Sequence, residues 1–225
     1  MTDLFEVLEA TWPAVSTQSH AGWTLRDGAG GGKRVSATTM DDPSARFTDV
    51  DDQPLFMVRD GQDELDTHLG ASVYAVVDPT LLYACPIELL IQDPLPLAKT
   101  YAVWPPLHCM IETWATGGTG PERLAVMDRV KGPKTAILGR DKDVPVGAAF
   151  VAIHKDTAML HSVEVLLDHR RQGVARRMMN QAAHWARRQG ATRFSLAVVN
   201  RNDGANALYA SMGMQCVGQY HYRKK

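Results

Sequence analysis

The residues best suited to chemistry lie together at Arg170-Arg171-Gln172-Gly173-Val174-Ala175. An apolar run closes at Leu167, the turn Asp168-His169 leads into this basic stretch, and an amphipathic segment starts at Val174. A strand, a glycine turn and a helix in that order make a pocket for phosphate. The first helical N–H groups have no carbonyl partners within the helix, and the helix dipole adds partial positive charge at the same point. Gly173 lets the backbone approach an anion closely, and Arg170, Arg171 and Arg176 add charge near it. The rival reading is an ordinary strand–helix turn with exposed arginines. Arg187 and Arg188 read as a solvated helix face. A second candidate, Gly28 to Lys33, fails as a P-loop: Asp27 stands at the required first glycine and Arg34 follows the lysine where Ser or Thr is needed.

Other reactive types are dispersed. His68 and His108 have no partner at metal-ligand spacing, and Cys85, Cys109 and Cys216 are far apart with no CxxC. No metal is expected, and the cysteines read as buried small hydrophobes in a reducing compartment. Apolar residues make up 45% of the 225 and charged ones 22%, an ordinary globular composition. A formal net charge of −1 argues against a dedicated nucleic-acid binder. No basic region followed by an apolar run opens the chain, and no apolar run is long enough to span a bilayer. The expectation is a cytoplasmic protein with neither a nucleic-acid nor a membrane partner.

The elements that must position the basic turn can be placed by pattern. In the first half, Thr2 or Asp3 caps a short helix with Leu4, Val7 and Leu8 on one face, ended by Pro13. Gly22–Arg26 and Lys33–Thr38 read as a hairpin around the glycine run. Asp41 to Asp52 is an acidic turn region with a short helical piece near Phe47. Leu55–Val58 is a strand and Asp63–Leu69 a helix stopped by Gly70. Val73–Val77, Leu81–Ala84 and Glu88–Ile91 read as strands, and Pro94 and Pro96 break the chain. Leu107–Trp114 reads as a helix with Pro105 and Pro106 in its first turn, and Gly117–Pro121 as a linker. The second half runs helix (Glu122–Val130), strands (Lys134–Leu138, Val146–His154, Ala158–Leu167), helix (from Val174 to a stop at Gly190), strand (Phe194–Val199), short helix (Ala205–Ser211) and strand (Cys216–Tyr222). Hairpins leading into a strand–helix–strand unit predict an α/β (α+β) fold: a mixed, mostly antiparallel sheet flanked by helices.

With those elements in place, Arg170 to Ala175 resembles the phosphate-binding motif of the GCN5-related N-acetyltransferase (GNAT) superfamily: Gln or Arg, two residues, Gly, one residue, Gly or Ala. Downstream, Asn202-Asp203-Gly204-Ala205-Asn206-Ala207-Leu208-Tyr209 followed by Gly213-Met214 resembles the second half of that family's signature, with Met214 where Phe is commoner. The resemblance covers residues 121–225, read as a catalytic acetyl-CoA-binding domain with the GNAT fold. Residues 1–120 carry neither motif. They are read as an N-terminal domain, a degenerate second copy of the fold as in tandem members, with a structural or acceptor-selecting role.

The resemblance implies an N-acyltransferase that moves an acetyl group from acetyl-CoA to a primary amine by direct attack. The acceptor, a small molecule or a peptide, is left open, and a homodimer is admitted. The other reading left open is a non-catalytic CoA sensor or interaction protein. Backbone N–H groups from Arg171 to Ala175, with Gln172 among them, would surround the CoA pyrophosphate. Val165, Leu166 and Leu167 would form the strand edge that pairs with pantetheine, and an N–H near Val165 would stabilise the thioester oxyanion. Tyr209 matches the family tyrosine that protonates the leaving thiolate, a task its phenol pKa suits; the alternative is a ring packed in the core. Asn202 would bond the cofactor arm or cap a helix. The family has no universal base. His161, on the same face as Val165 by period two, is one candidate, against a structural hydrogen bond; Glu164 is the second, if a bulge turns it.

Overall fold

The computed structural model describes residues 2–91 and 99–225, so the predicted break at Pro94 and Pro96 lies outside the described residues. The first helix, α1 (Leu4–Thr11), starts where the Asp3 carboxylate accepts the N–H of Phe5 at 3.1 Å. Leu4, Val7, Leu8 and Thr11 form its buried stripe. A hairpin of β1 (Ser16–His20) and β2 (Trp23–Asp27) follows, and β2 also pairs with β3 (Thr39–Met40). The partner of Trp23–Arg26 is therefore Ser16–His20 and not Lys33–Thr38. After the glycine run the chain closes into a 3₁₀ turn at Lys33–Val35, which buries Val35.

Next come β4 (Leu55–Arg59), α2 (Asp63–Gly70) and β5 (Ala75–Pro86), the last merging two predicted strands across Asp78 at φ 46°. The predicted strand at Glu88–Ile91 is a 3₁₀ turn over Ile87–Leu90, whose buried residues Ile87 and Leu90 have the spacing of that turn and not of a strand. The sequence pattern did not reveal β6 (Thr100–Val103). In α3 (His108–Thr116) the helix begins after Pro105 and Pro106, with Leu107 as its cap, and in α4 (Pro121–Arg129) proline fills the first position. The chain ends with β7 (Lys134–Asp141), β8 (Val144–His154), β9 (Thr157–Val165), α5 (Val174–Arg188), β10 (Arg193–Val199), α6 (Asp203–Ser211) and β11 (Gln215–Lys224).

Eight strands form one sheet in the order β4-β11-β5-β10-β9-β8-β7-β6. Its neighbours are antiparallel except β9 and β10, which run parallel. This is the mixed, mostly antiparallel sheet that the pattern predicts. Residue 120 is no boundary within it, because β5 lies between β10 and β11. On one face α5 buries Val174, Met178, Ala182 and Ala186 against Ile137, Val151, Leu160 and Phe194. The other face carries α3 and α4, with Met110, Trp114, Val126 and Met127 on Ala148 and Phe150. On that face α1 sets Leu4, Val7 and Leu8 against Met159 and Tyr220.

The parallel pair is open at one end. β10 pairs with β9 only from Arg193↔Thr157 to Leu196↔Leu160, yet stays paired with β5 as far as Val199↔Thr80. Beyond Leu160 the chain of β9 turns away because it carries a bulge. Phe150 faces His161 and Ala148 faces Glu164, so Ser162 and Val163 together oppose Ala149. Ser162 takes φ 47°, a left-handed value that few L-residues adopt without a bulge or turn. The freed Ser162 carbonyl accepts the indole N–H of buried Trp114 at 2.7 Å.

An extra residue reverses which face each later side chain takes. His161 and Glu164 consequently share a face, and Val165 does not share one with His161, contrary to the simple alternation. Val165 packs into the α5 side of the core, whereas His161 sits beside the rings of Trp12 and Phe150, at 5.0 and 6.2 Å between centroids.

Candidate active site

A cavity of about 380 Å³ fills the wedge between the splayed strands. Its walls are Leu160 to Glu164 of β9 and Leu196 to Val199 of β10. Tyr209 and Asn202 come from the region of α6, and Trp12, Arg34, Tyr220 and Tyr222 line it as well. The bulge thus brings Glu164 to the cavity. Gly117, at the end of α3, makes room for it: a Cβ there would overlap the Glu164 carboxylate.

Tyr209 lies in α6 and is almost wholly buried, its ring 5.8 Å from that of Tyr83. Among the described residues its hydroxyl has no hydrogen-bond partner. Burial pushes its phenol up to about 12, so it stands protonated at neutral pH. Asn202 realises the capping role: its Oδ1 accepts the N–H of Ala205 at 3.2 Å.

His161 is engaged at both nitrogens. Its Nε2 lies 2.9 Å from Oγ1 of Thr11, and that hydroxyl already donates to the Val7 carbonyl at 2.7 Å. Oγ1 must therefore accept, and Nε2 carries the proton. A guanidinium has only donors, so Nδ1, 3.1 Å from Nη1 of Arg34, is the acceptor. Burial, and then the Arg34 charge, hold the imidazole well below its ordinary value. No lone pair is left for a proton from an amine, and His161 acts on the cavity by holding Arg34. Glu164, with its side chain 19% exposed, keeps a carboxylate at the cavity wall, its Oε1 2.9 Å from Nη2 of Arg170.

The basic turn follows β9 and leads into α5. Arg171 has φ 62°, Gly173 caps α5 at φ 75° and ψ 8°, and no acceptor among the described residues faces the N–H groups of Arg171, Gln172 and Gly173. Val174, Ala175 and Arg176 form the first turn of α5, whose N–H groups have no earlier helical carbonyl to reach. The arginines divide. Arg170 turns back, its Nε donating to the Val165 carbonyl at 3.0 Å, and Arg176 donates to Oγ of Ser211 at 2.6 Å. Arg171 has no partner among the described residues and stands exposed. Leu166 donates its N–H to Val146 at 2.9 Å, so by antiparallel alternation the N–H of Val165 points away from β8 toward the wedge. Leu167 is exposed beyond it.

Sequence reasoning missed Thr11, Trp12, Arg34, Trp114, Gly117, Tyr220 and Tyr222. Tyr220 and Tyr222 had a detectable signal, their period-two spacing on the last strand. The others come from the first half through tertiary packing, which local spacing does not encode: Trp12, Arg34 and Gly117 line the cavity, and Thr11 and Trp114 hold residues that do. Among the described residues no group of His, Cys, Asp and Glu is arranged to hold a metal ion, and no helix is long and apolar enough to cross a membrane. Of the cysteines Cys85 is buried, while Cys216 is exposed, against the expectation for all three.

A parallel strand pair splayed by a bulge and followed by a glycine turn and a helix start belongs to a fold that the chain shares with solved N-acetyltransferases. Residues 104–214 match the family model described as Acetyltransferase (GNAT) family. It is similar to the uncharacterized N-acetyltransferase YobR of Bacillus subtilis (strain 168), 25% identical over 234 aligned residues covering 96% of this chain and 95% of that one. In fold it is similar to a GCN5-related N-acetyltransferase from Kribbella flavida, with 17% identity and a TM-score of 0.70 over 100% of this chain and 96% of that one. A tandem GNAT protein from the clavulanic acid biosynthesis pathway shares the fold at 12% identity and a TM-score of 0.61, over 100% of this chain and 88% of that one.

Proposed function

We propose that this protein is an N-acyltransferase that moves an acetyl group from acetyl-CoA to a primary amine held in the wedge between β9 and β10. The observation that carries the reading is the meeting of a proton donor and a proton acceptor in one cavity: neutral Tyr209 on one wall and Glu164 on the other. The free N–H groups of the Arg171–Gly173 turn and the first turn of α5 follow β9 directly in the chain.

The turn from Arg171 to Ala175 holds the pyrophosphate, and Arg171 supplies the unengaged charge. Val165 to Leu167 form the edge along which the pantetheine arm lies, and the Val165 N–H is the donor for charge developing on the thioester oxygen. Acetyl-CoA supplies an activated carbonyl and a thiolate leaving group. Tyr209 gives that thiolate its proton. A phenol near 12 is a weak acid against a thiol in water, but burial also raises thiols, as Cys85, pushed up to about 11, shows; the gap narrows in the same cavity. Glu164 takes the proton of the attacking amine, directly or through water. His161 positions Arg34.

Isothermal titration with acetyl-CoA tests the reading at its base: absence of binding up to millimolar concentration overturns it. Binding without turnover across a broad amine panel would instead favour a CoA sensor.

A further inference from the structure

Of the cations that line the cavity, Arg34 is the one held by His161, and acyl transfer does not use it. Arg34 sits on the Lys33–Val35 turn and lines the cavity. Its guanidinium donates to His161 and faces the hydroxyls of Tyr220 and Tyr222. Its Nε is inaccessible and has no hydrogen-bond partner. Among the described residues no carboxylate pairs with it. The two carboxylates lining the cavity are taken: Asp78 by Lys33 at 2.8 Å and by Arg201, and Glu164 by Arg170 at 2.9 Å.

A charge removed from water costs several kcal/mol unless it is paired, to the order of magnitude known for buried ions. The chain meets that cost with neutral partners alone, a histidine nitrogen and two phenols. The fork of an arginine with adjacent phenol donors fits a planar oxyanion. A carboxylate brings the single negative charge that balances one guanidinium. The cavity, about 380 Å³, is at the small end of the range for ligand pockets.

We propose that Arg34, with Tyr220 and Tyr222, is a carboxylate subsite, and that the acceptor is a small amino acid: a primary amine and a carboxylate in one molecule. The inference rests on the acyl-transfer reading of the same cavity. It gives the first half of the chain a task, because Arg34 and the Thr11–His161 contact that steadies it both depend on residues before 120.

The test measures CoA release with matched acceptors: the common L-amino acids against their α-amides, and β-alanine and γ-aminobutyrate against propylamine and butylamine. The expected result is a preference for at least one acid over its uncharged match of about 30- to 100-fold in kcat/KM, the scale of a charged hydrogen-bonded pair. In Arg34→Met that ratio should fall toward one. Where Arg34→Met does not fold, Tyr222→Phe, which removes a hydroxyl and keeps the ring, should reduce the ratio several-fold. As a readout free of turnover, the CoA-bound protein should bind the N-acetyl amino acid more tightly than its amide by calorimetry. Equal use or equal binding of acids and amides by the wild type, with acetyl-CoA bound, overturns the subsite and leaves the acyl-transfer reading standing. Failure to bind acetyl-CoA at all removes both.

Discussion

The indole N–H of Trp114 donates to the carbonyl of Ser162 at 2.7 Å, and so a helix of the first half holds the bulge of β9 in place. The Ser162 carbonyl has left the ladder between β8 and β9 and is covered by Trp114, so without the indole it would be a part-buried acceptor that has lost its donor. Trp114→Phe keeps an aromatic ring and removes the donor. It should cost about 1–3 kcal/mol of stability, read as a lower urea midpoint. Turnover should fall further than the folded fraction does, because the bulge also decides that Glu164 faces the cavity. A variant with a lower midpoint and full turnover per folded molecule would show that the wedge survives without the indole.

The elements from β7 to β11 could be read in the sequence because each satisfies its pattern locally. The α5 stripe of Val174, Met178 and Ala182 has helical period, and Arg170 to Ala175 is a contiguous motif. The bulge was harder to see. Ser162 and Val163 carry no local mark of a reversal of faces; what selects it is Trp114, dozens of residues away in sequence. Simple alternation therefore placed His161 with Val165 and left Glu164 conditional. Arg34 was hidden for a related reason. Its sequence neighbours suggested a failed phosphate loop, whereas its surroundings come from Thr11 through His161 and from Tyr220 and Tyr222 on the last strand.

Gly117→Ala tests the space reserved for the Glu164 carboxylate. The added methyl would overlap that carboxylate and displace it from the wall. A general base moved from reach typically loses about 10²–10⁴ in rate, so kcat should drop by about tenfold or more for a partial displacement. Acetyl-CoA affinity should stay the same, since the Arg171–Ala175 turn is not involved. Steady-state kinetics with calorimetry on the same sample checks the split; a rise in Kd without loss of kcat would contradict the assignment of Glu164.

His161 sets an acid limit on stability. Its imidazole is held well below the ordinary histidine range by burial and by Arg34, so the folded state resists the proton that the unfolded chain accepts at about 6.5. Above that pH both states are neutral at this site and it contributes no pH dependence. As pH falls through the unfolded value, the unfolded state gains the proton and stability is lost, with a limiting slope of about 1.4 kcal/mol per pH unit. His161→Gln should flatten the difference between urea midpoints at pH 7.5 and pH 5. The acidic limb of the rate profile should remain in that variant, because His161 has no free lone pair for the amine proton. Disappearance of the limb would restore His161 as the base.

Tyr209→Phe separates donation of a proton from packing. The ring lies against Tyr83 at 5.8 Å between centroids, a contact that phenylalanine preserves, and the hydroxyl has no partner among the described residues. Its loss should leave thermal stability and acetyl-CoA affinity close to wild type. Turnover should fall by about 10²-fold or more if the phenol protonates the leaving thiolate, the usual scale for a positioned acid. Because burial pushes the phenol to about 12, it stays protonated as pH rises from 7 to 10, and its ionisation should give no alkaline decline in that window. The fall should also shrink for an acyl donor whose thiol is more acidic, since such a leaving group needs the proton less. A uniform loss across donors would point to displaced geometry, and unchanged turnover would confine Tyr209 to the core.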